Sequence, residues 1–399
     1  MRVGIVDRTS WRVIVIAYST GVLAAAQVGR VAPAGTALVA EFDIGLTVLG
    51  WMVSLITFAS AIGGLGAGLI IQRTGARRML VTGTMLLAVS VLLSALAPTV
   101  SVLLSMRILE GVGYLFVTVA APTLIAHSAA SRDMAPALAL WGTFFTCGIS
   151  LAAFAGGWMS DILGWRVWTG LNGFAIAAIL PAILRYVPAS PIAAERAAKA
   201  RFDWSLPRAI WILGFAFWGV TFTALTILSM MPSFLKEMRE FAPSTIGSIT
   251  GFVAMSSILG SLVYSFSTKR LRANTVVLLT VAVTALAIFP AFSADTPQMR
   301  GVMFTALAVA GTGVLIAHVF ASVPRMAGRN TRIGPANGLV AQIGSIGSLL
   351  GPPVIGGFVT MAGWTALPLL VALSALVFLA LAYLAERHHA ADEMPKAVI

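Results

Sequence analysis

Charge is scarce in this chain. Only 10% of its 399 residues are charged, whereas soluble domains carry about 25%. Apolar residues reach 59% and the mean hydropathy is +0.95, so a water-soluble fold would leave large apolar areas exposed. Cysteine is nearly missing: Cys147 stands alone in an apolar stretch, which excludes an internal disulfide and a Cys-rich metal site. Also missing are the His-Glu-x-x-His pair of zinc hydrolases, the Gly-x-Ser-x-Gly elbow and the phosphate-cradling Gly-x-x-x-x-Gly-Lys loop. Those absences argue against an enzyme, a resident cofactor and a nucleotide-driven pump. Ion gradients remain as the energy source.

What is present is a succession of apolar runs, each matching the roughly 20 residues a spanning helix needs. The sequence predicts twelve spans, at 13–35, 47–71, 79–97, 101–126, 137–158, 166–184, 209–231, 245–267, 275–292, 301–323, 336–358 and 365–384. The runs are continuous rather than alternating, which excludes a membrane barrel. The expected fold class is an all-α membrane protein of twelve transmembrane helices. Arg2, Arg8 and Arg12 precede a full-length span, so the first helix itself, rather than a cleaved leader, is expected to target the chain.

The net charge of +12 suggests nucleic acid only until the positions are read. Of the 26 Lys and Arg residues, only Arg30, Arg107, Arg166, Lys236, Arg239 and Arg300 fall on one side of the predicted spans. The other twenty share the opposite side, in runs such as Arg73, Arg77, Arg78 and Lys269, Arg270, Arg272. The positive-inside rule then places both termini in the cytoplasm, and the charge needs no nucleic-acid partner. A plasma membrane is expected, the bacterial inner membrane in particular.

The chain also echoes itself. Gly111-Val112-Gly113 matches Gly311-Thr312-Gly313, and Gly156-Gly157 matches Gly356-Gly357, both at an offset of 200. Gly164-Trp165 matches Gly363-Trp364 and Pro33 matches Pro232, both at 199. The sequence therefore divides into halves 1–184 and 209–399, joined by a cytoplasmic linker at 185–208 that holds Pro188, Pro191 and Pro207. Two six-helix halves in the same orientation make a parallel repeat.

These features resemble the major facilitator superfamily, and the motifs add to the likeness. Gly68, Gln72, Arg73, Gly75, Arg77 and Arg78 resemble its loop signature between spans two and three, with Gln72 where the family usually has Asp. The resemblance implies a latch that closes the cytoplasmic side; the bland reading is that these arginines only anchor topology. Arg107, Gly111 and Gly113 resemble the family's Arg-x-x-x-Gly-x-Gly signature in span four, whose arginine is linked to proton coupling. Gly351-Pro352-Pro353 and Gly356-Gly357 lie in span eleven, whereas drug/proton antiporters of the family carry their Gly-Pro element in span five. The paired prolines and Trp364 also resemble members grouped with cyanate permeases.

Charge inside a membrane is costly, so Arg107 must face a cavity or a partner. Glu110, three residues on and on the same helical face, is the partner the spacing offers. It either carries protons or belongs to a permanent ion pair. The resemblance implies that spans one, four, seven and ten line the central cavity. In those spans lie Thr20, Gln27 and Arg30, then Tyr114 and Thr118, then Trp218 and Thr221, then Thr305, Thr312, His318 and Ser322.

Arg30 either contacts substrate or snorkels to the interface. His318 is a substrate contact, a proton site or a satisfied core histidine, while Tyr114 and Trp218 stack on substrate or simply pack. Thr and Ser are discounted because in helices they most often bond back to their own backbone. Arg30, Arg107 and His318 outnumber Glu110, and a cationic cavity favours an anion. The reading is a monomeric, proton-coupled secondary transporter of a small organic anion. The alternative is proton-driven efflux of lipophilic compounds, which walls rich in Phe, Trp and Met would suit.

Overall fold

The computed structural model describes residues 8–130, 132–188, 206–293, 295–327 and 330–393, all helix, turn or loop and no strand among them. The first span, Trp11–Phe42, is interrupted at Arg30 into α1 (Trp11–Gly29) and α2 (Val31–Phe42). Pro33 has no N–H to give to the preceding turn, which explains why the helix yields here. The second run holds α3 (Leu46–Ser54), a 3-10 turn (Leu55–Thr57) and α4 (Phe58–Thr74). After it come α5 (Ala76–Ala95), α6 (Val100–Ser128), the short α7 (Met134–Gly142) and α8 (Phe144–Tyr186).

At 43 residues α8 would run about 65 Å, twice the hydrocarbon core of a bilayer. It is two spans that meet at Gly164, where φ is 79° and ψ is 157°. Only glycine adopts that backbone without strain. Eleven described helical segments are long and apolar enough to cross a bilayer, and α8 divided at Gly164 makes the expected twelve.

The second half repeats the plan with α9 (Arg208–Arg239), α10 (Pro243–Ser267), α11 (Ala273–Ala291), α12 (Gln298–Ala327), α13 (Asn330–Ala362) and α14 (Ala366–Glu393). Several helices run past the apolar windows that announced them. The last was expected to stop at 384 and extends to Glu393, because helical bonding continues through Glu386 and Arg387 once the chain has left the apolar window. Residues 189–205, most of the expected linker, lie outside the described residues.

Contacts group the chain into two compact units. One is Met1–Ile44, Trp51–Ala200 and Glu240–Gly251; the other is Gly45–Gly50, Arg201–Arg239 and Phe252–Ile399. In the first unit α1 packs most extensively on α8, and α5 on α6. Small residues allow the second of these approaches: a Cβ on Gly113 would lie 2.8 Å from the Gly83 carbonyl oxygen. In the second unit α9 packs on α13 and α14, and α11 on α12. Large apolar side chains such as Leu96, Leu286 and Met361 point outward, as a lipid-facing surface requires.

A further echo appears between the halves. Gly363 has φ 75°, close to Gly164. The tryptophan that follows each glycine donates its indole N–H to a glutamate: Trp165 to Glu41 at 2.6 Å, Trp364 to Glu237 at 3.1 Å.

Candidate functional site

The break at Arg30 and the 3-10 turn at Leu55–Thr57 have a common consequence in the first unit. Backbone carbonyls at both interruptions point to Arg107 on α6. Its Nε donates to the Met52 carbonyl at 2.6 Å and its Nη2 to that of Val53 at 2.9 Å. Nη1 donates to the Gln27 carbonyl at 2.9 Å and to Glu110 Oε2 at 2.5 Å. A guanidinium that is 2% exposed is thereby held by three carbonyls and one carboxylate. Two imperfect helices supply what a regular helix would keep for itself.

Glu110 joins two arginines. Its Oε1 accepts from Arg30 Nη2 at 2.5 Å and from the Ser94 hydroxyl at 2.9 Å. Arg30 is 4% exposed and Glu110 fully buried, so Arg30 does not snorkel. Arg30 also donates to Thr169 Oγ1 at 3.3 Å, while Trp168 Nε1 caps the Arg30 carbonyl at 3.1 Å. Gln27 donates to Asn172 Oδ1 at 3.4 Å, and Asn172 donates to the Trp168 carbonyl at 2.9 Å.

Two guanidinium groups and one carboxylate leave the cluster with a net charge of +1. Beside it lies a cavity of about 20 Å³, lined by both arginines with Thr169, Trp165, Ala34 and Leu38 among the walls. That is room for one water-sized occupant.

Ser94, Thr169 and Asn172 were not singled out from the sequence. A signal existed for Asn172, the only asparagine in the first two hundred residues and placed inside an apolar run. Ser94 and Thr169 carry no such mark. What they touch is decided by how α5 and α8 pack.

The remaining expected residues fall elsewhere. Tyr114 is buried on α6, and Trp218 is half-buried on α9 with its ring 5.4 Å from that of Phe222. His318, on α12 in the second unit, shares a hydrogen bond of 3.2 Å between Nδ1 and the Tyr264 hydroxyl. Thr20, Thr118, Thr305 and Thr312 bond carbonyls of their own helices. Thr221 does so too and also reaches the Gly344 carbonyl at 2.6 Å.

At the loop signature, Gly75 takes φ 84° and ends α4. Arg77 Nη2 donates to the Leu184 carbonyl at 2.6 Å and Arg78 is exposed. The side chains of Gly68, Gln72 and Arg73 lie outside the described set.

A model of the Major Facilitator Superfamily matches residues 13–332 and 229–396. The chain belongs to that superfamily. Its family and relatives are transporters, not enzymes.

Among solved structures, a bacterial homologue of the human lysosomal transporter Spinster matches with a TM-score of 0.76 at 14% identity, over 96% of this chain and 98% of that one. A mutant form of the nucleoside transporter NupG matches with a TM-score of 0.73 at 14% identity, over 95% and 99%. At such identity these likenesses show the fold.

The galactose-proton symporter of Escherichia coli K12 is 29% identical over 192 residues. That match spans 47% of this superfamily member but only 40% of the symporter. The methylenomycin A resistance protein of Streptomyces coelicolor is 32% identical over 46% of this chain and 39% of its own. The 3-(3-hydroxy-phenyl)propionate transporter of Escherichia coli K12 is 24% identical over 81% of each chain.

Proposed function

We propose that this superfamily member moves a small organic anion across a plasma membrane by alternating access, coupled to protons. The observation that carries the reading is the buried cluster of Arg30, Glu110 and Arg107. An arginine fork suits a carboxylate, and Glu110 already holds one arm of the Arg30 fork, Nη2, through its Oε1. Protonation of Glu110 weakens that hold and frees Arg30 for the carboxylate of a substrate.

Charge balances at each step: the proton neutralises Glu110, the substrate anion replaces the charge that was lost, and the cluster returns to +1. One proton thus travels with one monocarboxylate, and that exchange moves no net charge. In this reading Gln27 lies beside the anion, Tyr114 is a further contact along α6, and His318 serves as a second proton site. The propionate named for the relative that spans 81% of both chains belongs to the same chemical class.

The loop at Gly68, Gln72, Arg73, Gly75, Arg77 and Arg78 acts as the cytoplasmic latch. The distribution of Lys and Arg supports cytoplasmic termini, and a bacterial inner membrane and a monomeric state complete the proposal. A resistance protein among the relatives favours a second reading, proton-driven export of lipophilic compounds.

Uptake into proteoliposomes tests the choice. An acidic exterior should drive accumulation of aromatic monocarboxylates and leave galactose and lipophilic cations unmoved. Transport confined to lipophilic cations would select export instead.

A further inference from the structure

The cluster's surplus positive charge is buried, and burial makes uncompensated charge expensive. Arg30 and Arg107 are 4% and 2% exposed, and every residue lining the adjacent cavity is buried. Both arginines line that cavity, and Arg30 Nε, itself buried, has no hydrogen-bond partner. Thr169 accepts from Arg30 Nη1 with its hydroxyl oxygen, which leaves its own O–H to be given to something else.

The remaining walls, among them Ala34, Leu38 and Trp165, are apolar or turned away. The Trp165 N–H is already spent on Glu41, and Glu41 is taken up by Arg166 at 2.6 Å. The cavity therefore offers cationic donors, no competing carboxylate among its lining residues, and a volume of about 20 Å³. A water fits the cavity and leaves the charge, whereas a compact monatomic anion, little larger than a water, fits beside the same donors and supplies the missing negative charge.

We infer that this cavity is a binding site for a halide ion, chloride under ordinary conditions, held by Arg30, Arg107 and Thr169. The halide brings the buried cluster to neutrality while Glu110 is ionised. The site lies within the first unit and does not depend on what the protein transports.

Purified protein in detergent supplies the test, with chloride, bromide or gluconate at equal ionic strength. Binding to the folded state alone raises the melting temperature with ligand concentration. Chloride and bromide should each give a concentration-dependent rise of about 2–4 °C over gluconate. Anomalous scattering from crystals grown in bromide should place one ion beside Arg30.

Ala34→Val narrows the cavity without touching a charge, and Thr169→Val removes the hydroxyl at nearly constant shape. Both should abolish the halide-dependent rise. A melting temperature indifferent to the anion in the wild-type protein, with no bromide peak beside Arg30, overturns the inference. So does a halide effect that persists unchanged in both variants. Neither result bears on the organic-anion reading, since no transport is measured.

Discussion

Arg30 and Glu110 stand 80 positions apart in the chain, and their side chains meet at 2.5 Å in the interior of the first unit. Glu110 therefore serves two arginines rather than the single one its own helix offers. The i to i+3 pair with Arg107 is an ordinary helical contact. The contact with Arg30 is tertiary, and it exists because the first span breaks at the residue that makes it.

Glu110→Gln should lower the stability of the purified protein sharply. Removing one partner of a buried charge pair costs about 3–5 kcal/mol, because the remaining charge stays buried without compensation. Here two guanidinium groups lose their shared carboxylate. Adding Arg30→Gln should recover part of the loss, since residues in one ion network are not additive. Thermal unfolding of the single and double variants decides the point. Simple additivity would mean that Arg30 and Glu110 do not interact.

Close helix approach makes a second prediction. A Cβ on Gly111 would sit 2.7 Å from the Ile56 carbonyl oxygen, and one on Gly113 would sit 2.8 Å from that of Gly83. In the other half a Cβ on Gly313 would overlap the Ser257 carbonyl. Gly113→Ala and Gly313→Ala should each cost about 1–3 kcal/mol, the usual range for overpacking. Gly142→Ala meets nothing within 4 Å and should be close to neutral. Melting temperatures of the three variants give the ranking, which fails if Gly142→Ala is the most damaging.

The matching glycine–tryptophan turns supply a third. Trp165→Phe and Trp364→Phe each remove one indole hydrogen bond to a glutamate. Losses of about 1 kcal/mol are expected from a single bond. Trp165→Phe should cost more, because its partner Glu41 also holds Arg166, whose guanidinium lies 4.4 Å over the Trp165 ring. Equal losses in both variants would show that the added cation contact contributes nothing.

Much of this architecture was legible in the sequence, for a physical reason. Continuous apolar runs admit few alternatives in lipid, so the spans could be read from composition alone. Gly164-Trp165 and Gly363-Trp364 showed the repeat before any backbone angle was known. Arg107 and Glu110 were legible because costly residues in hydrocarbon need partners and their spacing supplied one. The pairing of Arg30 was not. It depends on the break before Pro33 and on the approach of α1 and α6, neither of which a one-dimensional pattern contains. Ser94 and Thr169 stayed hidden likewise, since serine and threonine in helices most often bond their own backbone.

Arg77 carries the fourth prediction. Its guanidinium ties the start of α5 to the Leu184 carbonyl near the end of α8. Under the latch proposal, Arg77→Ala should loosen the cytoplasmic side. Labelling of a cysteine introduced at Leu184, in a Cys147→Ser background, should then speed up several-fold. Unchanged labelling would leave Arg77 as a topology anchor.

The central claim is that Glu110 exchanges a proton as Arg30 exchanges a carboxylate. The most direct measurement is uptake of a radiolabelled aromatic monocarboxylate into proteoliposomes under an imposed pH gradient, comparing wild type with folded Glu110→Gln. The account predicts gradient-driven accumulation in the wild type that the variant loses, while the variant still equilibrates substrate across the membrane. Full gradient-driven accumulation by Glu110→Gln would contradict it.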